Sequence, residues 1–188
     1  MLDIDNPVQW QVRDERYPTF KPWFTHGMLA EIHKWELKDK KVFEWGGGWS
    51  SIFWAFRCKE VVTIETDLNW IQNIREYADA HGITNLTIIH RECNEGDQKK
   101  VDYYTEVPDG YNPDIVVVDS VLRHECLLKA LTLPRPLIII HDNWQQDGFV
   151  CPSSEEAVKD LMTNNFIQED HLDHHGKKWA TCFWDLKP

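Results

Sequence analysis

The 188-residue chain has no apolar run of the roughly 18 residues a membrane-crossing helix needs, so no membrane partner is expected. Its opening residues, MLDIDNPVQW, lack the basic start and apolar stretch of a secretory leader. Its five cysteines, Cys58, Cys93, Cys126, Cys151 and Cys182, are odd in number, scattered, and form no CxxC pair. Reduced, buried thiols of a cytoplasmic protein are the expectation. Positive charge is also short. Twenty Lys and Arg against 31 Asp and Glu leave a net charge of −11. Most of such a surface repels a phosphate backbone, so no nucleic-acid partner is expected. The one dense basic run is KDKK at 38–41. No repeat and no linker interrupts the chain, which reads as a single domain over 1–188.

What is present is a core and an alternation. Hydrophobic residues make up 42% of the chain, enough for a buried core. Trp23, Met28, Ile32 and Trp35 recur at helical spacing after an irregular start, so a helix follows Pro22. Strands are predicted over 40–45, 60–66, 85–92, 114–120 and 135–144, and helices over 50–57, 66–82, 121–133 and 153–165. The helix over 66–82 carries Leu68, Ile71, Ile74 and Tyr77 or Ala78 on one stripe. The polar stretch 93–113 reads as loop with a little helix. DIVVVDS and RPLIIIHDNW hold consecutive apolar residues, as strands buried on both faces do. Strand candidates at 166–172 and 178–186 form a closing hairpin. Alternating strands and helices of this kind make an α/β fold, a parallel sheet covered on both faces. Ligands then bind at the carboxyl ends of the strands.

The segment EWGGGWSS, Glu44–Ser51, lies at such an end. Glycines between a strand and a helix let backbone approach a nucleotide cofactor. A dinucleotide fingerprint, GxGxxG, is incomplete here because Ser51 stands in the third glycine's place. The spacing that fits is acid, glycine, glycine, small: Glu44, Gly46, Gly48, Ser50. An acid at the strand end repels a pyrophosphate and attracts an ammonium or sulfonium, which favours S-adenosylmethionine over NAD. Glu65 closes the second strand, where a carboxylate takes ribose hydroxyls. Glu92, Cys93 and Asn94 follow the third strand, where an adenine edge is read.

VFEWGGGWSSIFWA, VVTIETD and PDIVVVDS…PLIIIHDNW together resemble the class I S-adenosylmethionine-dependent methyltransferases over residues 22–186. The resemblance implies a three-layer Rossmann-like sandwich with seven strands in the order 3-2-1-4-5-7-6, the seventh antiparallel. The cofactor-binding core is expected over 37–188, and the N-terminal segment and helix over 1–36, with Trp10, Tyr17, Phe20, Trp23 and Phe24, is the candidate cover over the acceptor. The resemblance places Glu44, Gly46, Gly47, Gly48, Ser50, Ser51, Glu65, Glu92, Cys93 and Asp119 around the cofactor. Trp45 and Trp49 depart from the family's small or polar loop residues.

Acceptor chemistry belongs beyond strands four and five, at Asp119 and at His141, Asp142 and Asn143. Asp119, Asp142 and Asn143 resemble the Mg²⁺ ligands of catechol and caffeoyl-CoA O-methyltransferases, hard oxygens that bind a divalent ion. The lysine base of that group has no equivalent; Arg123 is nearest and stays protonated. In a metal-free alternative, His141 or Asp142 is the general base. Asp119 as a helix cap and Asp142 with Asn143 as a strand-closing turn are the structural alternatives. His171, Asp173, His174 and His175 read as a solvated turn. His26 and His33 share one side of the first helix and read as surface or packing residues. Two functions stand: a small-molecule O- or N-methyltransferase, or a methyltransferase-like protein that binds an adenosine-containing ligand or a partner without catalysis. Aminopropyl transfer is a third, minor reading. The sequence leaves the acceptor and the oligomeric state open.

Overall fold

The computed structural model describes residues 22, 24–134, 136, 138–142, 156–159, 165–170 and 179–186. The elements are α1 (His26–Ile32), β1 (Lys41–Trp45), α2 (Trp49–Ala55), β2 (Glu60–Glu65), α3 (Leu68–Ala80), β3 (Leu86–His90), α4 (Gln98–Thr105), β4 (Ile115–Val118), α5 (Arg123–Leu131), β5 (Ile138–Asp142), β6 (Asn165–Asp170) and β7 (Trp179–Asp185).

The seven strands form one sheet in the order β3-β2-β1-β4-β5-β7-β6. The β1–β2, β1–β4, β2–β3 and β4–β5 pairs are parallel, and β7 runs antiparallel to both β5 and β6. Side chains alternate across this sheet, so each central strand feeds two cores. Val42, Val61, Ile115, Val117, Ile138 and Ile140 pack against α1, α2 and α3. Phe43, Trp45, Val62, Ile64, Val116, Val118 and Ile139 pack against α4 and α5. All four residues of β4 are buried, which explains its unbroken apolar run. Each fully buried aliphatic side chain favours the fold by about 2 kcal/mol.

Local chemistry sets the helix ends. Asp67 caps α3, accepting from the Asn69 and Trp70 amides at 2.7 and 3.3 Å. The chain leaves α3 at Gly82, whose φ of +66° suits glycine. Leu68, expected on the buried stripe, is 63% exposed, because it opens the helix beyond the strand ends. The stretch 93–113 contains more helix than expected: Asp97 caps α4, accepting from the Lys99 amide at 3.1 Å. Its apolar residues, Val101 and Tyr104, are sparse but three apart.

Both loop tryptophans are core residues. Trp45 packs with α4 and donates through Nε1 to the Tyr104 carbonyl at 3.3 Å. Trp49 opens α2 and sits edge-on to Trp70 and Tyr77 of α3. Phe24 likewise packs on Trp54, with ring centroids 6.0 Å apart, and is core rather than cover. His33 is half-buried and closes α1. The other expected cover aromatics, the His171–His175 group and most of the 153–165 helix lie outside the described residues.

Candidate functional site at the carboxyl ends of the parallel strands

The three glycines do different work. Gly46 adopts φ +89°, and a Cβ there would lie 1.8 Å from the Asp119 carbonyl oxygen. That position tolerates only glycine, because the loop crosses the end of β4. A Cβ on Gly47 would lie 2.7 Å from Thr63 Oγ1 and 3.4 Å from Glu65 Cβ, so the loop also lies directly on the end of β2. A Cβ on Gly48 would meet only Ser50 Oγ, at 3.9 Å. Two of the three glycines are therefore demanded by neighbouring strands rather than by open space for a ligand.

The hydrogen bonding of this loop decides what it can hold. The Gly46 and Gly47 amides both donate to the Ile64 carbonyl, at 2.9 and 3.2 Å. The Gly48 amide donates to Ser51 Oγ at 3.1 Å. None of the three glycine amides is left to cradle a phosphate. Among the described residues, nothing donates to the carbonyls of Gly46 or Gly47. The loop thus presents acceptors, which suit a cationic donor group such as an ammonium.

Beneath the loop lies Glu44, fully buried. Its Oε2 accepts from Ser51 Oγ at 2.5 Å, and its Oε1 has no partner among the described residues. Thr63, its β2 neighbour in register, also has an unpartnered hydroxyl. Burial pushes the Glu44 carboxyl up to about 7, helped by the charge of Asp119 and opposed by Ser50, Ser51 and Thr63. Glu44 acts on the loop from below rather than by contact from an open surface. Ser50 and Ser51 are buried too, and the Ser51 hydroxyl serves Glu44. The strand pattern held a signal for Thr63: it is the one hydroxyl in EVVTIE, on the same face as Glu65.

Glu65 is 7% exposed at the end of β2. Its Oε1 accepts from the Thr66 and Asp67 amides at 2.7 and 2.8 Å, which fixes the carboxylate beside Gly47. After β3, Arg91 reaches back under α4, donating from Nη1 to the carbonyls of Tyr103 (2.8 Å) and Glu106. Glu92 is exposed and pairs with Lys100 at 3.0 Å, which holds its carboxyl below the usual range. Cys93 is half-buried, and burial raises its thiol pKa. Asn94 Oδ1 accepts from the Gly96 amide at 3.0 Å, forming a turn.

The ends of β4 and β5 are organised by Arg123. Its Nη2 donates to Asp119 Oδ1 at 2.6 Å, its Nη1 to the Ser120 carbonyl at 2.7 Å, and its Nε to the Asp142 carbonyl at 3.2 Å. Burial still pushes the Asp119 carboxyl up to about 6, against the pull of Arg123. Asp119 does not cap α5; it pairs with that helix's first residue.

Two expectations at this end are corrected, and a third finds no support. His141 is 4% exposed, on the α5 face of β5 near Trp184. Its Nδ1 bonds the Asp142 carbonyl at 2.9 Å, and burial drops its pKa to about 3. It does not suit a general base. Asp142 is 1% exposed and faces the opposite layer, where its Oδ1 accepts from Thr181 Oγ1 at 2.6 Å. Thr181 Oγ1 in turn accepts from the amide of Thr25, the N-cap of α1, at 3.1 Å. Asp142 thus anchors β7 and α1 rather than facing an acceptor. The Mg²⁺ site is the expectation without support. No group of His, Cys, Asp and Glu among the described residues could hold a metal ion. A guanidinium already supplies positive charge between the ends of β4 and β5; Asn143 lies outside the described residues.

No family model matches the chain. No curated protein matches it either. Solved structures do. A methyltransferase-like protein from Silicibacter pomeroyi is 15% identical, with a TM-score of 0.61 over 89% of this chain and 90% of that one. A precorrin-6Y C5,15-methyltransferase from Geobacter metallireducens is 15% identical, with a TM-score of 0.57 over 92% of this chain and 97% of that one. An rRNA methylase from Streptococcus thermophilus is 15% identical, with a TM-score of 0.57 over 86% of this chain and 94% of that one. The last weakens the expectation that nucleic acid is excluded, since the fold serves an rRNA methylase as well. No helix among the described residues is long and apolar enough to cross a membrane. The chain shares the α/β Rossmann-like fold of these methyltransferases.

Proposed function

We propose that the chain is an S-adenosylmethionine-dependent methyltransferase that methylates an oxygen or nitrogen of a small-molecule acceptor. The observation that carries this reading is the glycine loop, whose three glycine amides all donate within the described residues and whose Gly46 and Gly47 carbonyls have no donor there, above a buried glutamate. That arrangement suits a cation, and its glycine amides offer nothing to a pyrophosphate. The cofactor supplies an electrophilic methyl group on sulfur. The chain's part is to hold and align. Gly46, Gly47 and Gly48 present the loop; Ser50 and Ser51 support it; Glu65 offers its second oxygen to ribose hydroxyls. Glu92 and Cys93 border the adenine side. Asp119 faces the acceptor, with a carboxyl near 6 that takes up a proton from an acceptor hydroxyl or amine. Arg123 fixes the orientation of Asp119.

The net charge of −11 supports a small acceptor over a nucleic acid. Calorimetric titration with S-adenosylmethionine and its demethylated product tests the reading; binding of neither defeats it. Turnover that survives EDTA is expected on this reading, which assigns no role to a metal. A filter-binding assay at low salt tests the acceptor class, and tight RNA binding would replace the small molecule with a nucleic acid.

A second reading is a methyltransferase-like protein that binds an adenosine-containing ligand or a partner without catalysis. The commitments at β4 and β5 favour it: Asp119 is ion-paired, and His141 and Asp142 are buried in bonded networks. Cofactor binding without methyl transfer to any acceptor would establish it.

A further inference from the structure

Glu44 and Thr63 form an unsatisfied polar pair under the loop. Both side chains are fully buried, they are partners across β1 and β2, and each has an oxygen with no hydrogen bond among the described residues. Among the described residues Ser51 Oγ donates to Oε2, and Oε1 is left without a partner. A neutral carboxylic acid fits better, since an O–H on Oε1 has the vacant Thr63 oxygen beside it as acceptor. A bare carboxylate needs a compensating cation, and the Gly46 and Gly47 carbonyls, without a donor among the described residues, mark where one would sit.

Resting on the methyltransferase reading, we propose that Glu44 is a proton-linked charge beneath the glycine loop. It is neutral when the site is empty and ionised when a sulfonium-bearing ligand sits on the loop, so that the site prefers the cationic methyl donor over its neutral thioether product only where that proton can leave. No bond other than the O–H is broken, and the proton passes to bulk buffer.

The charged groups around Glu44 are consistent with this. Asp119 approaches from the end of β4 and disfavours a second negative charge, though Arg123 of α5 tempers it. Glu65 lies two residues beyond Thr63 on β2, adding negative charge near Asp119. From α2 come only the hydroxyls of Ser50 and Ser51. The raised carboxyl pKa of about 7 puts the switch within the neutral range. A cation on the loop is the one addition that favours the charged form.

Calorimetry in buffers of different ionisation enthalpy tests the proposal. S-adenosylmethionine binding to the full chain at pH 6 should release about one proton from Glu44, and its affinity should rise on the order of tenfold from pH 6 to pH 8. The thioether product should release less. In Glu44→Gln the excess proton release and the pH dependence should both disappear, which subtracts any titration of the ligand's own amino group. Ser51→Ala, which removes the donor to Oε2, should move the midpoint of the affinity curve to higher pH. Equal proton release by the wild type and Glu44→Gln overturns the proposal, as does an unmoved midpoint in Ser51→Ala. If donor and product bind with no proton release, the methyltransferase reading survives and this inference falls. If neither binds at any pH, both fall.

Discussion

The two halves of the strand-end surface are built on opposite principles. At β1 and β2, Glu44 keeps an unpaired oxygen and no counter-ion, in the company of hydroxyls. At β4 and β5, Asp119 has Arg123 at 2.6 Å, and Asp142 has Thr181 at 2.6 Å. One half is left incomplete and the other is closed. An incomplete buried group costs stability, and it persists where a ligand completes it. A closed network fixes strand ends and leaves little for a metal. Under the proposed function, the contrast gives cofactor binding to the first half and acceptor positioning to the second.

The strongest way to break the contrast is to spoil the loop that covers the incomplete half. Gly46→Ala adds a Cβ 1.8 Å from the Asp119 carbonyl and forces an alanine to φ +89°. A loss of about 4 kcal/mol is expected in denaturant unfolding. Gly48→Ala, with its Cβ in open space, should cost under about 0.5 kcal/mol. Similar losses at both positions would show that the loop is not seated on β4.

The next test uses pH. The folded chain holds the Glu44 proton up to about 7, whereas an unfolded glutamate releases it near 4.5. The contribution of Glu44 is therefore fully present below 4.5 and lost as pH rises through 7. Glu44→Gln carries no such term, so its stability relative to wild type should rise by about 3 kcal/mol between pH 4.5 and pH 8. A constant difference across that range, measured by thermal unfolding, would mean that Glu44 is already ionised.

The closed half should answer differently. Asp142→Ala strands the Thr181 hydroxyl and loosens the N-terminus of α1, at about 2 kcal/mol. Arg123→Met removes three donors and leaves Asp119 without its counter-ion, at a similar cost. Cofactor affinity should change less than stability in both variants, read by calorimetry beside unfolding. A larger loss of cofactor affinity than of stability would move these residues into the binding half. The smallest effect belongs to the surface: Lys100→Ala breaks an exposed pair with Glu92 and should leave the melting temperature unchanged within error.

Much of this was legible along the chain. DIVVVDS announced a strand buried on both faces, and Asp67 and Gly82 marked the ends of α3. The residue types at the candidate site were visible too: an acid before glycines, an acid after the second strand, acids after the fourth and fifth. The state of each was not. Glu44 reads as a charged lure in the sequence, and burial makes it a weak acid. Asp142 reads as a metal ligand, yet its partner Thr181 is 39 residues away, and the next member, Thr25, is 156 from Thr181. His141 reads as a base, and the strand's alternation turns it into the α5 layer. Helix α4 was understated because its apolar residues are few and its cap, Asp97, sits in a polar run.

The sequence by itself determined the alternation of strands and helices and the order in which acids and glycines arrive at the strand ends, because periodicity and turn chemistry are local. Only the tertiary structure decided which of those groups are left open. The Ile64 carbonyl that takes the loop amides, the guanidinium on Asp119 and the threonine on Asp142 all come from elsewhere in the sheet or from its covering helices. Hydrogen-bond satisfaction is settled between such distant partners, and it separates an acid that awaits a ligand from one that holds the fold together.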